Sequence, residues 1–147
     1  MILKLEQNEA KKDIEILISY PEKNKTVERI VSLVKSAGIR IECFSENSVK
    51  MVNVADIYYI ESIDKRTIIS CENNNFFVKS RLYQIYGKLK NSGFIQISKY
   101  CILNINKLEE IKPLSNSRLE AVLSNGKFLY VTRKYLEDIK KVLLEEK

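Results

Sequence analysis

The stretch RLEAVLSNGKFLYVTR, residues 118–133, constrains the fold of this chain more than any other. Asn125-Gly126 stands between two runs of alternating character. A tight hairpin turn needs two residues that tolerate positive φ, and Asn-Gly supplies them, so these residues specify an antiparallel pair. Upstream lie more short β-prone runs: MVNVADIYYIES, TIISCE and FFVKSR. The DKR (64–66) and NNN (73–75) clusters fall at the turns between them. Leu82, Ile85, Tyr86 and Leu89 then repeat at helical spacing, with Gly93 near the end of that short helix. FIQISKYCILNINKLEEI, residues 94–111, is apolar and β-prone, yet Ser98, Lys99 and Tyr100 interrupt it. A charged amphipathic helix closes the chain, with Leu136, Ile139, Val142 and Leu143 as its apolar stripe.

The first 47 residues read differently, as a β-α-β unit. DIEILIS puts Ile14, Ile16 and Ile18 on one face at period two. Pro21 breaks the chain before a helix from Thr26 to Ala37, in which Val27, Ile30, Val31 and Val34 recur at i, i+3, i+4 and i+7. Gly38 is placed to stop that helix, and IRIECF returns to alternation. SENS, residues 45–48, reads as the joint between a unit at 1–47 and a second at 48–147. The expected class is α+β: a β-α-β unit followed by a mostly β domain.

The chain has no histidine. That excludes Ser–His and Cys–His nucleophilic machinery and Cys/His zinc sites. Cys43, Cys71 and Cys101 each sit in an apolar run without a CxxC pattern, as buried free thiols would. With four glycines and no phosphate-cradling loop, an enzyme is not indicated, and no cofactor or metal is expected. The opening MILKLEQNEAKKD is cut by charges before a signal-peptide core forms. No apolar run reaches the roughly 20 residues that span a bilayer. A cytoplasmic location is expected.

Charge is unevenly distributed. Residues 1–47 hold eight Lys/Arg against eight Asp/Glu, whereas residues 48–147 hold 17 against 11. The net +6 therefore belongs to the C-terminal part, which suits a polyanionic partner. Its candidates are Lys65 and Arg66 in a hairpin loop, Ser98, Lys99 and Tyr100 in the interrupted strand pair, and Arg133 with Lys134 where the last strand passes into the final helix. Guanidinium bridges guanine O6 and N7, ammonium neutralises phosphate, and hydroxyls add neutral phosphate contacts. The structural alternatives are ordinary: Arg66 pairing with Asp64 or Glu61, Tyr100 as a half-buried ring, Lys134 as a helix-end charge.

Taken in order, these segments resemble the LytTR family, the DNA-binding domain of LytR/AgrA-type response regulators. The resemblance covers Val49 to Leu144 and is carried by VADIYYIES with its basic turn, RLYQIYGKL, GFIQISKYCILNINKLEEI and LSNGKFLYVTRKYLEDIKK. It implies a reader of double-stranded promoter DNA built of about ten strands in small stacked sheets, whose loops enter successive grooves. Carried over by position, the contact loops are Lys65–Arg66, Ser98–Lys99–Tyr100 and Arg133 with Lys134. Ser98 stands where many members keep histidine, a departure that bears on base preference. Asn104 matches a family asparagine and suits a backbone-supporting hydrogen bond. Residues 1–47 are too few for a receiver domain, so the chain resembles the short stand-alone regulators. That resemblance implies a homodimer on repeated DNA sites and a small integral membrane protein that restrains the regulator. The competing expectation is a protein-interaction adaptor that uses the Val27, Val31 and Val34 stripe and does not bind DNA.

Overall fold

The computed structural model describes residues 1–115 and 118–144. Helix α1, Lys25–Ala37, begins where Asn24 Oδ1 accepts the Val27 N–H at 3.0 Å, an N-cap that satisfies one orphan donor. Strands β1 (Arg40–Ser45) and β2 (Ser48–Asn53) form a hairpin. After a single 3-10 turn come β3 (Tyr59–Ile63), β4 (Arg66–Ser70), β5 (Asn75–Val78) and helix α2 (Leu82–Leu89). They are followed by β6 (Phe94–Ser98), β7 (Cys101–Asn104), β8 (Leu108–Leu114), β9 (Arg118–Leu123), β10 (Phe128–Val131) and helix α3 (Leu136–Leu144).

Seven strands make one antiparallel sheet in the order β2-β1-β5-β4-β3-β7-β6, and the other three make a sheet ordered β10-β9-β8. This is the α+β arrangement of small sheets and short helices expected from the sequence. Because side chains alternate across a strand, the seven-stranded sheet has two apolar faces with different partners. One face carries Cys43, Val52, Ile60, Ile69, Phe76, Phe94 and Ile102, and helix α2 covers it with Leu82, Ile85 and Leu89. The opposite face of β3, β7 and β6 carries Tyr59, Ile95, Ile97, Cys101 and Leu103. These pack with Leu119, Ala121, Leu123 and Val131 of the small sheet and with Ile139 of α3. Burying a side chain of this size contributes about 1.5–3 kcal/mol, so the two cores together fix how the sheets sit.

Local chemistry explains the joints. Gly126 takes φ +87° in the Asn125-Gly126 turn, where Lys127 N also donates to Asn125 Oδ1 at 3.1 Å. Gly93, at φ +90°, admits a close approach: a Cβ there would meet Asn106 Nδ2 at 3.0 Å and Ser32 Oγ at 3.2 Å. All three cysteines are free; Cys43 and Cys101 are buried and Cys71 is half-buried. Burial pushes the Cys43 thiol up to about 11 and raises that of Cys101 further.

One expected element does not form. Residues 14–18 are not a strand; Ile14 is 85% and Leu17 86% exposed, so the segment before α1 supplies no first strand of a β-α-β unit. Alternation reports only that a segment has two unlike faces; a strand also needs a hydrogen-bonding neighbour. The Ser45–Ser48 segment is the turn of the β1–β2 hairpin, and β1 is bonded on its other side to β5.

Candidate nucleic-acid interface

The β3–β4 connection is a two-residue turn in which both central residues, Asp64 (φ 50°) and Lys65 (φ 65°), are left-handed. Neither is glycine, and the left-handed region costs a non-glycine residue about 1–2 kcal/mol. The strand register holds the turn: Ile63 faces Arg66 and Ser62 faces the buried Thr67. Lys65 and Arg66 are exposed, and the Arg66 guanidinium lies 5.6 Å from the Phe77 ring centroid on neighbouring β5.

The β6–β7 connection explains the polar interruption noted in the sequence. Phe94, Ile95 and Ile97 anchor β6 and Cys101, Ile102 and Leu103 anchor β7, all buried, while Lys99 and Tyr100 form the exposed turn. Pairing shifts between Gln96 and Ser98, a bulge of the kind that re-aims side chains at strand ends. Half-buried Ser98 accepts the Tyr100 N–H at 3.3 Å through its Oγ, so its hydroxyl shapes the turn. Tyr100 is 56% exposed, and Lys99 Nζ stands 5.4 Å from its ring.

The third tip follows β10. Thr132 N donates to Ile97 O at 2.9 Å, which ties the small sheet to the end of β6 beside Ser98. Arg133 and Lys134 then lie exposed in the 3-10 turn that leads into α3. Likewise, Ser62 N donates to Tyr100 O at 2.8 Å and joins the first tip to the second. These two hydrogen bonds bring all seven residues singled out from the sequence to one end of the seven-stranded sheet.

Among the described residues no carboxylate forms an ion pair with these cations; the ion pairs Lys11–Glu15 and Lys25–Glu28 lie in the first 28 residues. Arg66 therefore does not pair with Asp64 or Glu61. Burial raises the Glu61 carboxyl above its usual range, an effect Lys127 partly opposes. Arg81 and Tyr83 were not singled out from the sequence, yet they line the same groove as Ser62, Lys99 and Tyr100. Their position at the start of α2, after the β5 strand, was the signal available. Asn104 faces the other way: it is buried, donates through Nδ2 to Ile57 O at 2.8 Å and accepts from Asn106 N at 3.0 Å. Among the described residues no cluster of Cys, Asp or Glu could hold a metal ion. No described helix is long and apolar enough to cross a membrane.

An exposed set of guanidinium, ammonium and hydroxyl groups on rigid turns has the chemistry of a polyanion surface. The LytTr DNA-binding domain family matches residues 47–144. The chain is similar to the sensory transduction protein LytT of Bacillus anthracis, 24% identical over 88% of this chain and 55% of that protein. LytT of Enterococcus faecalis is 30% identical over 74% of this chain and 44% of that protein. An uncharacterized HTH-type transcriptional regulator of Staphylococcus aureus is 28% identical over 86% of each chain. The chain thus spans about half the length of the LytT proteins it matches. Among solved structures, the LytTr DNA-binding domain of a Bacillus cereus protein superposes with a TM-score of 0.67, at 23% identity, over 71% of this chain and 95% of that one. With the family matched over all three tips, the small sheet and every strand of the large sheet but β1, this chain belongs to the LytTR family of DNA-binding domains.

Proposed function

We propose that this protein is a sequence-specific transcriptional regulator that reads double-stranded promoter DNA with loops and performs no catalysis. The observation that carries this is the convergence of three exposed cationic tips on one end of the sheet. Arg66 and Arg133 are assigned to base edges in successive grooves, and Lys65, Lys99 and Lys134 to phosphates. Tyr100 offers a hydroxyl and a ring face to the backbone, while Ser98 sets the turn that aims both neighbours. Paired protomers on repeated sites, a cytoplasmic location, and a regulatory or dimerising role for residues 1–47 complete the reading. A small integral membrane protein as restraining partner would engage the arm before α1, where Ile2, Leu3, Leu5, Ile14 and Leu17 are exposed.

The test is retardation of the DNA upstream of the protein's own gene against a shuffled duplex of equal length. Specific binding should exceed nonspecific binding by at least ~10³-fold, as sequence-reading proteins do. Equal affinity for both duplexes, or charge reversal at Lys99 and Arg133 without effect, would favour the adaptor reading instead.

A further inference from the structure

The chain carries two uncovered apolar surfaces. The first is an N-terminal arm, residues 1–20, without helix or strand. A turn in which Lys11 N donates to Asn8 O at 3.1 Å separates its two limbs. Ile2, Leu3 and Leu5 are exposed on one limb, and Ile14, Ile16 and Leu17 on the other. The second surface is half of a sheet face. The small sheet covers β3, β7 and β6, but the same face of β2, β1, β5 and β4 is only partly screened: Phe44 and Ile68 are half-buried, and Lys79 Nζ and the Arg66 guanidinium stand 5.1 and 5.6 Å from the Phe44 and Phe77 rings. Strand register aligns Val49, Phe44, Phe77 and Ile68 in one row across it, with Met51 beside Val49. Val49 is 60% exposed and Met51 48%. Strand β2 also ends the sheet, since among the described residues it pairs with β1 alone, and an edge strand offers a row of backbone donors and acceptors.

We infer that residues 14–17 of one chain pair antiparallel with the free edge of β2 in a second copy, and that the exchange is reciprocal. The register sets Ile14 opposite Met51, Glu15 opposite Lys50 and Ile16 opposite Val49. Ile14 and Ile16 then extend the apolar row at its exposed Val49–Met51 end, while Glu15 meets Lys50 on the other face, carboxylate to ammonium. A slip of one residue would set Ile16 against Lys50 and lose both matches. The present partner of Glu15 is Lys11 at 3.2 Å, an exposed pair that costs little to exchange. Within one chain neither surface covers the other, whereas a twofold exchange covers two arms and two sheet edges at once. The free edge of β2 is the sheet border farthest from β6 and β7, so pairing there leaves the cationic tips open. This names the surface behind the paired protomers proposed above and rests on that reading only there.

The test uses the full chain with Cys43→Ala and Cys71→Ser, because Cys43 lies directly opposite Lys50 across the β1–β2 pair and would compete for its replacement; the buried Cys101 is retained. Chains bearing only Glu15→Cys are mixed with chains bearing only Lys50→Cys, oxidised, and run on a non-reducing gel. A disulfide-linked dimer from the mixture, with little from either variant alone, is the expected result. Light scattering should give twice the 17.1 kDa chain mass for the unmodified protein. Ile16→Lys, at an exposed position that leaves the folded body intact, should weaken the dimer at least tenfold. Linkage of Glu15→Cys chains alone would mean arm-to-arm pairing and overturn the assignment. So would a disulfide that closes only within one chain carrying both substitutions, or no linkage at all. DNA retardation is scored separately, so a protein that pairs but ignores DNA fails the functional reading alone.

Discussion

At one end of the seven-stranded sheet, Asn104 spends its amide on Ile57 O and Asn106 N, and Asn106 passes the chain on to Ser32 Oγ at 3.2 Å. At the other end, Lys65, Arg66, Lys99, Arg133 and Lys134 stand exposed, and three of these cations lean on rings 5.4–5.6 Å away rather than on carboxylates. Both ends are built from the same strands and turns. The difference is that one end's polar groups are satisfied internally and the other's are left for something outside. Internal hydrogen bonds of buried groups hold a fold together, because leaving either partner unpaired costs its full desolvation. Exposed cations add little to folding and much to the local field.

Salt should separate the two ends most sharply. If the tips engage 6–10 phosphates, DNA affinity falls about 10³–10⁵-fold between 50 and 200 mM salt. The melting temperature should move far less over the same range, since the Asn104 hydrogen bonds join neutral groups. A binding isotherm indifferent to salt would remove the contrast. Next in size, Asn104→Ala strands the Ile57 carbonyl and the Asn106 amide and should destabilise the fold by about 2–4 kcal/mol. Chemical denaturation measures this; DNA affinity of the fraction still folded should be unaltered.

Arg133→Ala should do the converse. It should cost about 1–3 kcal/mol of binding and relax preference at one base position, with unfolding unchanged. A uniform loss across sequences would move Arg133 from base edge to phosphate. The smallest effect belongs to Lys65→Gly. Removing one phosphate contact lowers the salt slope by about 0.9 and weakens all duplexes alike. Glycine also relieves the left-handed backbone at φ 65°, so the melting temperature should shift by no more than about 2 °C. A drop of many degrees would mean that Lys65 holds the turn by contacts beyond its backbone.

Much of this architecture was legible because its signals are local. Asn125-Gly126 can hardly be anything but a hairpin turn, and the stripes Val27–Val34 and Leu82–Leu89 fit α1 and α2 because helical spacing is set within the segment. The cationic tips were legible as loop residues for the same reason. Their convergence was not, since it depends on Ser62 reaching Tyr100 O and Thr132 reaching Ile97 O, contacts between segments far apart in sequence. Residues 14–18 failed in the complementary way. Their alternation is genuine, but whether it becomes a strand depends on a neighbour, and the body of this chain does not provide one.

The bond from Thr132 N to Ile97 O has an evolutionary corollary. It clasps one sheet to the other where two of the exposed cationic tips emerge, so the separation of those tips is inherited from how the sheets are stacked. A change in methyl count at Ile97, Leu119 or Val131, deep beneath the surface, would reset that separation as a screw resets the jaws of a caliper. Operator preference in such a protein could drift through its interior, with every side chain that touches the duplex left as it was.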